Sequence, residues 1–124
     1  MLSTNIRGIR LLSARIRQIA MSAEYASMEK SSYVYILASA PYGTLYVGST
    51  TDLIKRVWQH REGVFEGFTK QYGVSKLVWY EVHADIMEAG LREKHIKRWN
   101  RAWKIRLIEE MNLRWRDLYA ELIA

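Results

Sequence analysis

Along the chain the apolar positions change rhythm several times. Tyr33-Val34-Tyr35-Ile36-Leu37 is a dense run of strand formers. Pro41-Tyr42-Gly43 reads as a turn, with proline presetting φ and glycine accepting positive φ. Thr44 to Val47 is the returning arm, so 33–47 predicts an antiparallel hairpin. From Asp52 to Arg61 the spacing becomes helical, opened by a Thr or Asp cap and closed by Gly63. Residues 64–73 form a loop holding two glycines, and Leu77 to Val82 is a third strand. Asp85 with Glu88 three residues on resembles a capping box opening a helix to about Asn100. Trp103, Leu107, Ile108 and Met111 continue the apolar spacing after a bend, up to Asn112. Trp115 to Ile123 is a final short helix or packed tail. The order β-β-α-β-α-α predicts an α+β domain, a small three-stranded, mostly antiparallel sheet flanked by helices.

Residues 1–31 follow a different pattern. Ile6, Ile9, Leu12, Ile16 and Ile19 fall at helical spacing, and up to Ala23 there are four arginines and no acid. Three explanations fit: a basic amphipathic helix, an arginine-rich leader, or an over-long start with Met21 or Met28 as the true beginning. The expected organisation is therefore an N-terminal extension over 1–31, helical or disordered, and one domain over 32–124.

Composition narrows the field. At 124 residues with 49% hydrophobic content, the chain buries a single modest core. With no cysteine there is neither a disulfide nor a thiolate zinc site, which agrees with a cytoplasmic location. No apolar run approaches the roughly 18 residues that a membrane span needs. The net charge of +6 points toward phosphate-rich partners.

Several residues break the pattern in ways that bear on chemistry. Glu93 lies between Ala89 and Ile96 on the face expected to meet the core, where a carboxylate needs a cation, a metal or hydrogen-bond donors. Arg56 and His60 are four residues apart, hence neighbours on one helical face beside Leu53 and Val57. Arginine holds phosphate bidentately, and histidine moves a proton near neutral pH. Tyr35 and Tyr46 lie on the two arms of the hairpin. His60, His83 and His95 lack metal-binding spacing. From Arg92 to Arg106 there are seven Lys/Arg and one acid, with Trp99 and Trp103 interleaved. Lys94, Lys97, Arg98, Arg101 and Lys104 are the expected phosphate contacts, and the tryptophans serve as core or stack on unpaired bases.

Taken separately, each residue also suits an ordinary structural role. As an ordered set, Tyr33-Val34-Tyr35, Tyr46-Val47-Gly48, Arg56, His60 and Glu93 resemble the GIY-YIG nuclease family over about residues 33–118. The small stand-alone bacterial members, related to the excision-repair nuclease subunit, are most similar, and the tail EKHIKRWNRAWKIRLIEEMN followed by WRDL resembles theirs. The resemblance implies phosphodiester hydrolysis in nucleic acid, DNA rather than RNA, with structure-selective or weak sequence specificity. It implies Tyr35, Tyr46, Arg56 and His60 as catalytic groups, Glu93 as ligand of Mg2+ or Mn2+, and Gly48 as a backbone requirement of the motif. Tyr33 stands where the first signature has glycine, and Ser49 where the repair nuclease has lysine. For the family's asparagine, Asn100 shares the face of Glu93 while Asn112 fits the tail better. Because small members lack the domain that delivers substrate, a delivering protein partner and a binding domain with an idle catalytic set both stay open.

Overall fold

The computed structural model describes residues 31–124; residues 1–30 of the N-terminal extension lie outside the described residues. Strand β1 (Ser32–Ala38) is central, pairing antiparallel with β2 (Leu45–Thr50) on one side and β3 (Lys76–His83) on the other. The three-stranded antiparallel sheet and its helices make an α+β fold, as the hydrophobic rhythm predicts. Between β1 and β2 the turn is closed by Ser39 N donating to Thr44 O at 3.0 Å and Gly43 N to Ala40 O at 2.8 Å. The positive φ expected at Gly43 falls instead on Tyr42, at 59°. Gly43 is required for space: a Cβ there would lie 2.3 Å from Ser39 Oγ.

Strand alternation divides the core into two layers. Val34, Ile36 and Ala38 face one side, where Ala89 and Ile96 of α3 (Ile86–Arg98) and Ile108 of α4 (Arg101–Met111) cover them. Tyr35 and Leu37 face the other, packed by Leu53 and Val57 of α1 (Leu53–Arg61) and by Leu118 and Leu122 at α5 (Tyr119–Ile123). In β3, Leu77 pairs with Leu37 but Trp79 with Ile36, so Val78 is an extra residue. This bulge lets Val78 and Trp79 both pack on the α3 side.

Residues 64–73 are not wholly loop, because a single-turn helix α2 (Phe68–Gln71) forms within them. Its end is set by Gly73 at φ +64, with Gly73 N donating to Lys70 O and Val74 N to Thr69 O. The apolar spacing that runs past Asn100 is broken between two helices. Trp99 ends α3 in extended backbone, and Asn100 caps α4 by accepting from Trp103 N at 2.9 Å. Trp103, beyond the break, is about half exposed, as is Ile86 at the start of α3, while Trp99 packs against the core.

Candidate active site

The site is built on the register of the hairpin. Tyr35 of β1 lies directly opposite Gly48 of β2, and a Cβ at Gly48 would come within 2.6 Å of the Tyr35 hydroxyl. Glycine therefore provides the bed on which the buried phenol lies. Tyr46 pairs with Leu37 two residues along, on the same face, with its ring centroid 6.3 Å from that of Tyr35.

Helix α1 brings the next two groups to this face. Asp52 caps it, accepting from Lys55 N at 3.2 Å, and Leu53 and Val57 are buried against the sheet. That burial orients the adjoining stripe, so Arg56 and His60 lie beside the tyrosines. His60 Nε2 is 3.2 Å from the Tyr35 hydroxyl, and Nδ1 is 3.0 Å from Thr69 Oγ1 at the start of α2. The imidazole is enclosed by Tyr46 at 5.4 Å and Phe65 at 5.2 Å between ring centroids. Arg56 stacks on Phe65, its Cζ 5.6 Å from the ring centre, and no carboxylate pairs with it among the described residues. Phe65 and Thr69 are thus site residues that sequence reasoning missed. They sit in a glycine-flanked segment with no periodicity, and nothing in their spacing marks them.

Protonation follows from enclosure. Burial pushes the Tyr35 phenol well above its ordinary range, with neighbouring Tyr46 adding to the rise; the Arg56 guanidinium pulls against it without prevailing. Glu93 adds a smaller rise. Burial lowers the His60 imidazole, and Arg56 lowers it further. Near neutral pH the pair is therefore a protonated phenol and a neutral imidazole. That state accommodates Tyr35 donating to Nε2 while Nδ1–H donates to Thr69.

Glu93 arrives from the other face of the sheet. It projects from α3, between buried Ala89 and Ile96, toward Ser49 on edge strand β2. Ser49 pairs with Val34, so its side chain points to the α3 side; its Oγ donates to Glu93 Oε1 at 2.5 Å. Lys97 Nζ sits 2.5 Å from Oε2. The phenols and guanidinium thus lie on one side of β2 and the carboxylate on the other, flanking the strand where Gly48 and Ser49 follow one another. Among the described residues no three His, Cys, Asp or Glu side chains form a metal cage. The donor set fits a hard ion held by one carboxylate, with water in most of its coordination sphere.

The remaining expected contacts divide. Lys94 and Arg98 are exposed and Lys104 half-buried, and none of them is ion-paired among the described residues. Lys97 is held by Glu93, and Arg101 donates to the carbonyls of Tyr42 and Gly43. Asn112 is buried at the end of α4. Its amide donates to Val78 O at 3.1 Å and Arg116 O at 2.8 Å, and its carbonyl accepts from Arg116 N at 3.0 Å. Those bonds occupy its side chain with backbone, away from the tyrosine face. Asn100 is likewise committed to its cap.

Comparison with known proteins identifies the family. The model of the GIY-YIG catalytic domain matches residues 31–106, and the chain belongs to this family of endonucleases. Within it the chain is similar to small bacterial UPF0213 proteins. It is 34% identical over 86 residues to one from Bacillus pumilus (strain SAFR-032), covering 69% of this chain and 88% of that protein. A UPF0213 protein from Clostridium perfringens (strain 13 / Type A) is 36% identical over 83 residues, covering 67% and 88%. One from Staphylococcus aureus (strain Mu3 / ATCC 700698) is 38% identical over 80 residues, covering 64% and 96%. The solution NMR structure of a Bacillus halodurans UPF0213 protein has 29% identity and a TM-score of 0.45, covering 70% of this chain and 92% of that one.

Proposed function

We propose that the protein is a metal-dependent endonuclease of the cytoplasm that hydrolyses phosphodiester bonds in DNA, with structure-selective or weak sequence specificity. The observation that carries this reading is the Tyr35 hydroxyl, buried over Gly48 against His60 and Arg56, with Glu93 on the other side of the edge strand. Repair or recombination intermediates are the natural substrates of such an activity. No helix among the described residues is long and apolar enough to cross a membrane.

Each group has a distinct task. Arg56, free of carboxylates among the described residues, binds the scissile phosphate and neutralises charge developing on it. Tyr35 keeps its proton, so it acts as a donor and orienting group rather than as a base. His60, neutral and anchored through Thr69, accepts and passes on a proton. Tyr46, half-buried on the rim beside the imidazole, orients the attacking water. A magnesium or manganese ion held by Glu93 would supply a Lewis acid for the phosphate and acidify its own bound water. Lys94, Arg98 and Lys104 give a salt-sensitive grip on the backbone.

The test is to incubate purified protein with labelled branched, flap, nicked and single-stranded DNA, with and without magnesium, beside Arg56→Ala and Glu93→Ala. Metal-dependent cutting of at least one substrate, abolished by either change, is the expected result. Cutting that survives both changes overturns the assignment. Salt-sensitive binding without any cutting would favour a nucleic-acid-binding domain whose catalytic set is idle.

A further inference from the structure

Among the described residues the Glu93 carboxylate already has two partners, Ser49 on Oε1 and Lys97 on Oε2. Only 20% of its side chain is exposed, so water alone does not satisfy it, and it needs positive charge whenever no ion is bound. Lys97 meets that need from the next turn of α3. Its side chain is 49% exposed, and its compact ammonium rides on a flexible four-carbon stem. An ion pair of such exposure is weak and exchangeable. Ser49 differs: it is fixed to β2, and its hydrogen bond keeps the carboxylate in place while the other oxygen changes partner.

We propose that Lys97 and the divalent cation compete for Glu93: the lysine caps the carboxylate in the metal-free protein and, once displaced, turns to a phosphate of bound nucleic acid. This rests on the reading of Glu93 as metal ligand. Lys97 occupies an oxygen that a hydrated ion needs, and two cations at that distance repel. Its neighbours are not on the carboxylate. Arg92 is committed to Glu81 through bonds of 2.9 and 3.2 Å, and Lys94 forms no ion pair among the described residues. Released, the ammonium lies on the same helix as exposed Lys94 and Arg98, so a phosphate contact is gained only when metal is loaded.

Mn2+ uptake without nucleic acid, read from the electron paramagnetic resonance signal of the free ion, tests this in wild type and in Lys97→Ala, Lys97→Gln, Lys94→Ala and Glu93→Gln. Both Lys97 variants should bind about three- to tenfold more tightly than wild type. Lys94→Ala removes the same charge without touching Glu93 and should change affinity by less than about twofold. Glu93→Gln should weaken binding by at least about tenfold. If Glu93→Gln loses the ion while the Lys97 variants bind no more tightly than Lys94→Ala, the competition is refuted and Glu93 keeps its place as ligand. Uptake unchanged by Glu93→Gln, or absent from all five proteins, refutes the reading of Glu93 and the competition with it.

Discussion

One missing side chain organises the rest of the site. The Tyr35 ring lies where any Cβ at residue 48 would stand, 2.7 Å from its Cζ as well as 2.6 Å from its hydroxyl. Gly48→Ala therefore has to shift the phenol off His60. The expected cost is about 1–3 kcal/mol of stability, seen as a lower thermal midpoint. Misplacing a site group by about an ångström should also slow cleavage roughly 10²-fold. His60 carries a second prediction. Its imidazole titrates near 6.5 in the unfolded chain and lower in the fold, where Tyr35, Tyr46, Arg56 and Thr69 surround it and none is an acid. Between those two values the unfolded chain binds the extra proton, so stability is fully present above about pH 6.5 and is lost as pH falls. The thermal midpoint should fall more steeply between about pH 7 and about pH 5 in wild type than in His60→Gln. An equal slope in the two proteins would contradict the buried neutral imidazole.

Elements place these residues through their ends. Helix α1 stops at Gly63, φ +67, with Gly63 N donating to His60 O and Val64 N to Gln59 O. The chain then turns back to bring Phe65 and Thr69 over the imidazole. The start, type and face of α1 are legible in sequence because Asp52, Leu53, Val57 and Gly63 all carry local signals. The return through α2 is not, since its four residues have no apolar period and its position depends on tertiary contact with His60. Glu93 is conspicuous in sequence as an acid within an apolar stripe, yet its partners Ser49 and Lys97 are set by the packing of α3 on β2. Asn112 shows the converse, a residue that suits a family tail while its side chain serves the backbone. Asn112→Ala should cost about 1–3 kcal/mol by leaving buried polar groups unpaired. At temperatures where the variant is folded, its cleavage rate constant should stay within about twofold of wild type. A rate loss without a stability loss would return Asn112 to the site.

At the scale of the molecule, one sheet separates the two halves of the chemistry. The tyrosines, Arg56 and His60 occupy the α1 face, Glu93 comes from α3 on the other, and edge strand β2 lies between them. Among the described residues β2 is an edge of the sheet, and the exposed Lys94 and Arg98 lie on α3 beside it. A sheet flanked by helices is legible in the hydrophobic pattern; which sequence-distant polar groups lie on either side of β2 emerges only with the register of the hairpin. Arg56 and Glu93 are expected to serve one reacting phosphate from opposite sides of that strand. Single-turnover cleavage of a labelled DNA at saturating magnesium tests it most directly in wild type, Arg56→Ala and Glu93→Gln, with circular dichroism confirming that each is folded. Both substitutions should slow the cleavage step at least about 10²-fold. A folded variant of either residue that cleaves within about threefold of wild type would contradict the account.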